Sequence, residues 1–302
     1  MELIAKEELD RHNENKSKRI AFYLQDGVEV LDFAGPMEVF SYAGFDVFTV
    51  SKSRNTIVSQ GVLKITPEYS LNDAPQADIL AFFGGNASNA SKDLELIEWV
   101  KQQEDIEYYF SVCTGAFILA EAGILENNTA TTFHTALDNL ENDYPKIKVL
   151  KDARYVDNGN VITTAGISAG IDGALHLVAK IQGFNNARKV AYGIEYDKWT
   201  PGEGVQLTGI DPYHYFLRVN NLDEYLGCYE FKNNQNVEIK HNERENSIYA
   251  HLNGQKFPLF YLSKDHFKGV NGYKIAFKRD STNSISGYNS SDEETRFYRK
   301  FK

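Results

Sequence analysis

The chain is poor in cysteine, and its two, Cys113 and Cys228, lie too far apart in sequence to outline a disulfide framework. It has no apolar run near the roughly 18 residues that a membrane-crossing helix requires. Its opening, residues 1–19, is charged and polar and lacks the apolar centre of a secretory leader. These absences predict a soluble, cytoplasmic protein with no membrane partner, although a leader trimmed away upstream would leave the same picture. Positive charge is also short. With 32 Lys and Arg against 42 Asp and Glu, the formal charge is −10, which argues against a nucleic acid partner because phosphate binding needs a basic surface. No helix-turn-helix pattern and no basic helix is present. The seven histidines show no ligand spacing such as His-Glu-x-x-His, so no metal is expected. Gly-x-Gly-x-x-Gly is missing after the first strand, and no cofactor is expected either. Internal repeats and low-complexity tracts are likewise absent.

What is present is enough apolar residue, 42% of 302, to bury a real core in one large or two unequal domains. After a polar arm over residues 1–18, strands alternate with helices up to about residue 198. The segments Arg19-Ile20-Ala21-Phe22-Tyr23-Leu24, Phe45–Ser51, Asp78–Phe83 and Tyr108–Val112 read as buried strands. A helix is expected around Pro36, with that proline at its first position, where a missing N–H costs nothing. Further helices are expected over 94–103, 114–122, 135–142, 168–181 and 186–195, with a hairpin around Asn158-Gly159. Such alternation predicts a mostly parallel sheet with helices on both faces. Residues 199–220 read as a linker. From about 221 to 302 the pattern turns to short alternating strands, among them 247–252, 258–262, 273–278, 284–288 and 294–298, predicting a small all-β, barrel-like domain.

The most informative stretch is Tyr108 to Gly123. It runs from a buried strand through a bend at Cys113 into a helix beginning at Thr114. A residue at such a bend projects above the carboxyl end of the sheet, where ligands of these folds sit. Free N–H groups at the helix start would favour a thiolate, the reactive form of cysteine. Inert packing is the competing reading of Cys113, as it is the preferred one for Cys228. Asp32 and Gly84-Gly85 also follow strand ends and can converge with Cys113 on one pocket. Alone, Asp32 reads equally as a helix-entry carboxylate, and Gly84-Gly85 as a turn.

Taken together, Leu31-Asp32-Phe33-Ala34-Gly35-Pro36-Met37-Glu38-Val39-Phe40, Phe83-Gly84-Gly85, Val112-Cys113-Thr114-Gly115-Ala116, Ala130-Thr131-Thr132-Phe133-His134, Ala165–Ala174 and Val190–Asp197 resemble the ThiJ/PfpI superfamily. The similarity covers about residues 18–198 and is nearest to the isocyanide hydratase and AraC-type sensor-domain branch. It implies a flavodoxin-like fold, Cys113 as nucleophile and Asp32 as the acidic partner that moves protons. A carboxyl beside a thiolate should have a raised pKa and be able to donate. The backbone N–H groups of Gly85 and Thr114 would hold developing negative charge, with Gly84, His134 and Ser168 lining the pocket. Ser168 can also be read as a helix N-cap and His134 as a surface residue, because this chain has Phe133 before the histidine where the branch commonly has the histidine directly after Thr-Thr. Relatives with proteolytic or glyoxalase activity often place His after the cysteine, whereas Thr114 stands here. The C-terminal part resembles, loosely, the small β-barrel accessory module that follows some hydrolase domains, through Leu222–Phe231 and Phe257–Leu262. The resemblance implies a hydratase or hydrolase of a small molecule with an electrophilic carbon, commonly as a homodimer. Alternatives are a non-catalytic ligand- or redox-sensing protein and an amidase- or glyoxalase-like activity.

Overall fold

A computed structural model describes residues 17–196, 199–209, 211–213, 222–231, 235–242, 247–269, 273–290 and 297–301. The polar arm lies outside these residues up to position 16, as do positions 210 and 214–220 of the expected linker. The chain divides into two compact units, Met1–Asp211 and Pro212–Lys302.

The first unit contains β1 (Arg19–Tyr23), α1 (Val30–Tyr42), β2 (Asp46–Ser51), a small hairpin of β3 (Ile57–Ser59) and β4 (Leu63–Ile65), β5 (Tyr69–Ser70) and β6 (Ile79–Phe82). Then follow α2 (Ala87–Ala90), α3 (Leu94–Gln102), β7 (Tyr108–Val112), a tight turn over Cys113–Gly115, and α4 (Ala116–Glu121). After β8 (Thr129–Ala130), α5 (Leu137–Asp143) and β9 (Lys148–Val149) come the hairpin strands β10 (Tyr155–Asp157) and β11 (Val161–Thr164). Helices α6 (Ala169–Gln182) and α7 (Phe184–Gly193) and the short strand β12 (Val205–Gln206) complete the unit. Eight of the strands form one sheet in the order β12-β10-β11-β7-β6-β1-β2-β5, parallel except between β10 and β11. Strand β12 arises inside the stretch expected to be linker; two residues are too few for any alternating pattern to announce it.

The core follows from the alternation of each strand. In β1, Ala21 and Tyr23 join a cluster with Leu96, Val100, Ile118 and Leu119, so α3 and α4 cover that face. Its neighbour Phe22 points the other way, 4.7 Å from the Phe83 ring and 6.2 Å from Phe40 of α1. Strands buried on both sides have no need of polar residues, which is why β1 and β6 read as continuous apolar runs. Helices α1 and α6 pack closely on the second face. A methyl group at Gly35 would stand 2.8 Å from an Ile171 side-chain carbon, and one at Gly170 would stand 3.2 Å from Pro36 Cγ. Pro36 therefore lies inside α1 and not at its start, a correction to the sequence-based expectation. The helix begins six residues earlier, and close packing against α6 holds the proline where its own preference would end the helix. Between β10 and α6, buried His176 places Nε2 2.7 Å from Asp157 Oδ2, and Lys180 Nζ donates to both Asp157 oxygens at 2.7 and 2.9 Å. Burial depresses the His176 pKa, so Lys180 supplies the positive charge that Asp157 requires.

The second unit is a closed antiparallel barrel of β13 (Gly227–Phe231), β14 (Gln235–Asn242), β15 (Ser247–Leu252), β16 (Gln255–Ser263), β17 (His266–Gly269), β18 (Lys274–Arg279), β19 (Ile285–Ser290) and β20 (Phe297–Phe301). Pairing of β13 with β20 closes it. The interior is filled by Tyr225, Tyr229, Phe267, Phe277, Tyr288 and aliphatic side chains, with Tyr225 4.7 Å from Phe277 and 5.1 Å from Phe267. Cys228 alternates with buried Tyr229 and is half-buried on the opposite side of its strand. Helix contact in the first unit supplies a direct test: Gly35→Val should overpack the α1–α6 seam and cost about 1–3 kcal/mol. Thermal denaturation checks this, and an unchanged midpoint would mean that the seam has slack.

Candidate functional site

Strands β1, β6, β7 and β11 are adjacent and parallel, so their carboxyl ends open on one side of the sheet. From β1 the chain runs to β2 and β5 in one direction, then returns to β6, β7 and β11 in the other. The gap between β1 and β6 is thus the topological switch point, where ligands of open α/β sheets bind. Four segments leave these strand ends and meet there: the first turn of α1 with Asp32, Gly84-Gly85, Cys113, and Ala165-Gly166-Ile167.

Cys113 takes the left-handed backbone conformation at φ 59°, which a side-chain-bearing residue adopts only when its surroundings compel it. Two bonds do so. Its N–H donates to Ala165 O at 3.1 Å, and the Thr132 hydroxyl donates to its carbonyl at 2.6 Å. The residue is 5% exposed. Asp32 is fully buried. Its Oδ2 accepts from Gly84 N–H at 2.9 Å and its Oδ1 from Ile167 N–H at 2.9 Å. Ile167 sits at φ 58°, unusual for a β-branched residue, and its bond to Asp32 helps to hold it there.

Cysteine and aspartate close on one point above Gly84. A methyl group there would lie 2.6 Å from Asp32 Oδ2 and 2.7 Å from Cys113 Sγ, so only glycine leaves room for both. Gly85, at φ 89°, has backbone on the side where a side chain would stand, 2.2 Å from Gly27 O. Among the described residues, no acceptor takes up the Gly85 N–H. Phe133 covers the opposite wall, its ring against Gly166, whose own added methyl would lie 3.4 Å from the Cys113 sulfur.

The ionisation of this pair differs from the simplest expectation. Burial pushes the Asp32 carboxyl up to about 6, against the two backbone N–H groups that favour its charged form. Burial, and next the Asp32 charge, push the Cys113 thiol up to about 12, although the Thr114 N–H pulls the other way. The expected lowering of the thiol by a helix start is therefore corrected. The turn over Cys113–Gly115 is tight and only three residues long, and the sulfur beside it is buried against a carboxylate. Between the two titrations the pair holds one proton and one negative charge, shared between sulfur and carboxylate.

The remaining residues named from the sequence lie farther out. Half-buried Thr114 presents its N–H and a hydroxyl that finds no nitrogen or oxygen partner to the cysteine side. His134 is exposed, its ring 4.2 Å from that of Phe133. Ser168 is exposed and makes no cap to α6; its hydroxyl accepts from Arg154 at 3.4 Å, beside the Arg154–Asp172 ion pair. Neither has a hydrogen bond to Cys113 or Asp32. Thr132 and Phe133 are site members that the sequence did not single out, and the Ile167 N–H lies in the stretch next to Ser168 that it did place at the pocket. Ala165–Ile167 follow a strand end just as Gly84 does, and that placement was the available signal. Among the described residues, no group of three or more His, Cys, Asp or Glu side chains is arranged to hold a metal ion. No helix among them is long and apolar enough to cross a membrane.

A strained cysteine at a strand-to-helix elbow, facing a buried carboxyl at the switch point of a parallel sheet, defines an α/β protein of the elbow-cysteine kind. The chain belongs to the DJ-1/PfpI family, whose pattern it matches over residues 18–180. It is 34% identical over 181 residues to the isonitrile hydratase of Pseudomonas putida, a match spanning 59% of this chain and 78% of that protein. It is 25% identical over 169 residues to the HTH-type transcriptional regulator CdhR of Pseudomonas aeruginosa, covering 54% of this chain and about half, 50%, of the regulator. Among solved structures, a ThiJ/PfpI family protein from Pseudomonas syringae superposes with a TM-score of 0.56 at 28% identity, over 63% of this chain and 83% of that one.

The raised Asp32 pKa has a measurable sign. A carboxyl whose folded pKa lies above its ordinary value stabilises the fold when protonated and loses that contribution as pH rises from about 4 through 6. Asp32→Asn should therefore gain on the native protein between pH 4 and pH 7, by up to about 3 kcal/mol, since a tenfold change in proton affinity is worth about 1.36 kcal/mol. Denaturant unfolding of both proteins across that range measures the difference; a difference independent of pH would remove the buried-carboxyl account.

Proposed function

We propose that the chain is a cysteine-dependent hydratase of small molecules with an electrophilic carbon, of the isonitrile class, with Cys113 as nucleophile and Asp32 as proton carrier. The observation that carries this reading is the convergence of Cys113 Sγ and Asp32 Oδ2 on one point above Gly84. The similarity to an isonitrile hydratase over most of that enzyme's length supports the substrate class.

The single proton of the pair is the stoichiometry such a reaction needs. The Cys113 proton first passes to Asp32, the thiolate attacks the terminal carbon of R–N≡C, and the carboxylic acid protonates the developing anion. This gives a thioimidate, Cys–S–CH=N–R, and an Asp32 carboxylate. Water then adds to the same carbon, one of its protons going to Asp32 and the other ending on the substrate nitrogen, and the tetrahedral adduct expels the thiolate as the N-formamide forms. Cysteine and aspartate return to their starting state, and the sum is R–N≡C plus water. The free Gly85 N–H and the Thr114 N–H are the donors we assign to negative charge on the adduct oxygen, a role in which one donor is commonly worth about 10²–10³ in rate.

A sensing role is the second reading, favoured by the similarity of the same α/β region to transcriptional regulators. One experiment separates the two. Incubated with an alkyl isonitrile, the native chain should produce the formamide, seen by its formyl proton in NMR. Cys113→Ala should produce none, and Asp32→Asn should lose about 10²–10⁴ in kcat/KM. Saturable binding of the isonitrile without turnover would instead favour the sensor, and neither binding nor turnover would discard the isonitrile class.

A further inference from the structure

Gln25 is the polar end of an otherwise apolar strand segment, and the proposed chemistry leaves it without a task. It is 7% exposed. Its Nε2 donates to two successive backbone carbonyls, Phe83 O at 2.9 Å and Gly84 O at 3.0 Å. Its Oε1 is buried and has no partner. The opposite orientation of the amide would press Oε1 against two carbonyl oxygens, so the donor side must face the Gly84 turn. An amide buried with half of its bonding capacity unused points to the importance of the other half.

Those two carbonyls belong to peptide planes whose opposite ends reach the site. In a trans peptide, C=O and N–H point in opposite directions from one rigid plane, so fixing the oxygen fixes the hydrogen. The Phe83 carbonyl shares its plane with Gly84 N–H, which donates to Asp32 Oδ2 at 2.9 Å. The Gly84 carbonyl shares its plane with Gly85 N–H, the donor that no described residue accepts from. Glycines resist plane rotation least of all residues, so two in succession need an outside tether. Glu29 N–H supplies a second bond to Gly84 O at 3.1 Å, whereas the Phe83 plane has only the amide to add to its Asp32 bond.

We propose that Gln25 is the positioning residue of the Cys113–Asp32 site, orienting Gly84 N–H toward the carboxylate and Gly85 N–H toward the reacting group through a single side-chain amide. The first half stands on the geometry alone; the second rests on the hydratase reading above. Charged and titratable groups facing Asp32 are Cys113 and half-buried Glu29, and neither needs to move for Gln25 to act.

The test uses the full chain in a Cys228→Ser background, so that iodoacetamide reports only on Cys113. The alkylation rate against pH should rise through a lower midpoint set by the Asp32–Cys113 pair. Gln25→Met fills nearly the same space without donors. It should move that midpoint upward by roughly half a pH unit or more, because a loosened Gly84 N–H stabilises the carboxylate less. Gln25→Glu gives a second readout. Its acid can donate one bond to the carbonyls, but its carboxylate repels them, so its folded pKa is raised and its stability relative to Gln25 should fall as pH rises from about 5 to 8. An unmoved midpoint in folded Gln25→Met, or a stability deficit in Gln25→Glu that ignores pH, would overturn the proposal and leave Gln25 a packing residue. Neither measurement needs a substrate, so a failure of isonitrile turnover refutes the hydratase and not the tether.

Discussion

A carboxylate taken wholly out of water must be compensated on the spot, and Asp32 is compensated by two backbone N–H groups from different strand exits. An ionised carboxyl buried without such partners would cost several kcal/mol or more, enough to undo a marginally stable domain. The need is met by bringing Gly84, at the end of β6, and Ile167, beyond β11, to within hydrogen-bond reach of the first turn of α1. Cys113, at the end of β7 between them, is then enclosed. Its own strained backbone is held by Ala165, one step from the peptide that precedes Ile167, so the two left-handed residues are braced through the same short loop. Removal of any one of these contacts loosens the others.

The contest over the sulfur is settled by magnitude. A helix start stabilises a neighbouring negative charge by about 0.3–1 kcal/mol, and up to ~2 in sheltered geometry. That lowers a pKa by at most about 1.5. Burial and a carboxylate in contact act in the opposite direction, and they prevail in raising the thiol to about 12. A reactive thiolate at this elbow therefore depends on where the shared proton rests rather than on the helix. An incoming group that draws the proton toward Asp32 also creates the nucleophile.

Much of this was legible in the amino-acid sequence. The parallel sheet followed from continuous apolar strands spaced by helical segments, and Asp32, Gly84 and Cys113 were findable because each directly follows a strand end. Other features left little trace. Nothing in Ile167 announces a positive φ, since β-branched residues disfavour it and only the surrounding bonds impose it. Pro36 misled because local preference places proline at a helix start, whereas packing between α1 and α6 decided its position. Strand β14 of the barrel was legible as well, since Asn236, Glu238 and Lys240 alternate with buried Val237 and Ile239. Gln25 offered the subtlest sign, a single amide after Phe22-Tyr23-Leu24.

The closed barrel has a consequence of its own. Pairing of β13 with β20 leaves no strand, among the described residues of that unit, with a free row of N–H and C=O groups. The large α/β sheet ends, at both margins, in strands of two residues, β5 and β12. Backbone-templated growth, in which one chain extends the sheet of another, finds no strand edge among the described residues of the barrel, and on the large sheet β5 covers β2 only at Val50 and Ser51. Recognition of any other polypeptide by the described strands of the barrel is thereby left to side chains, which discriminate among surfaces where a bare strand edge does not.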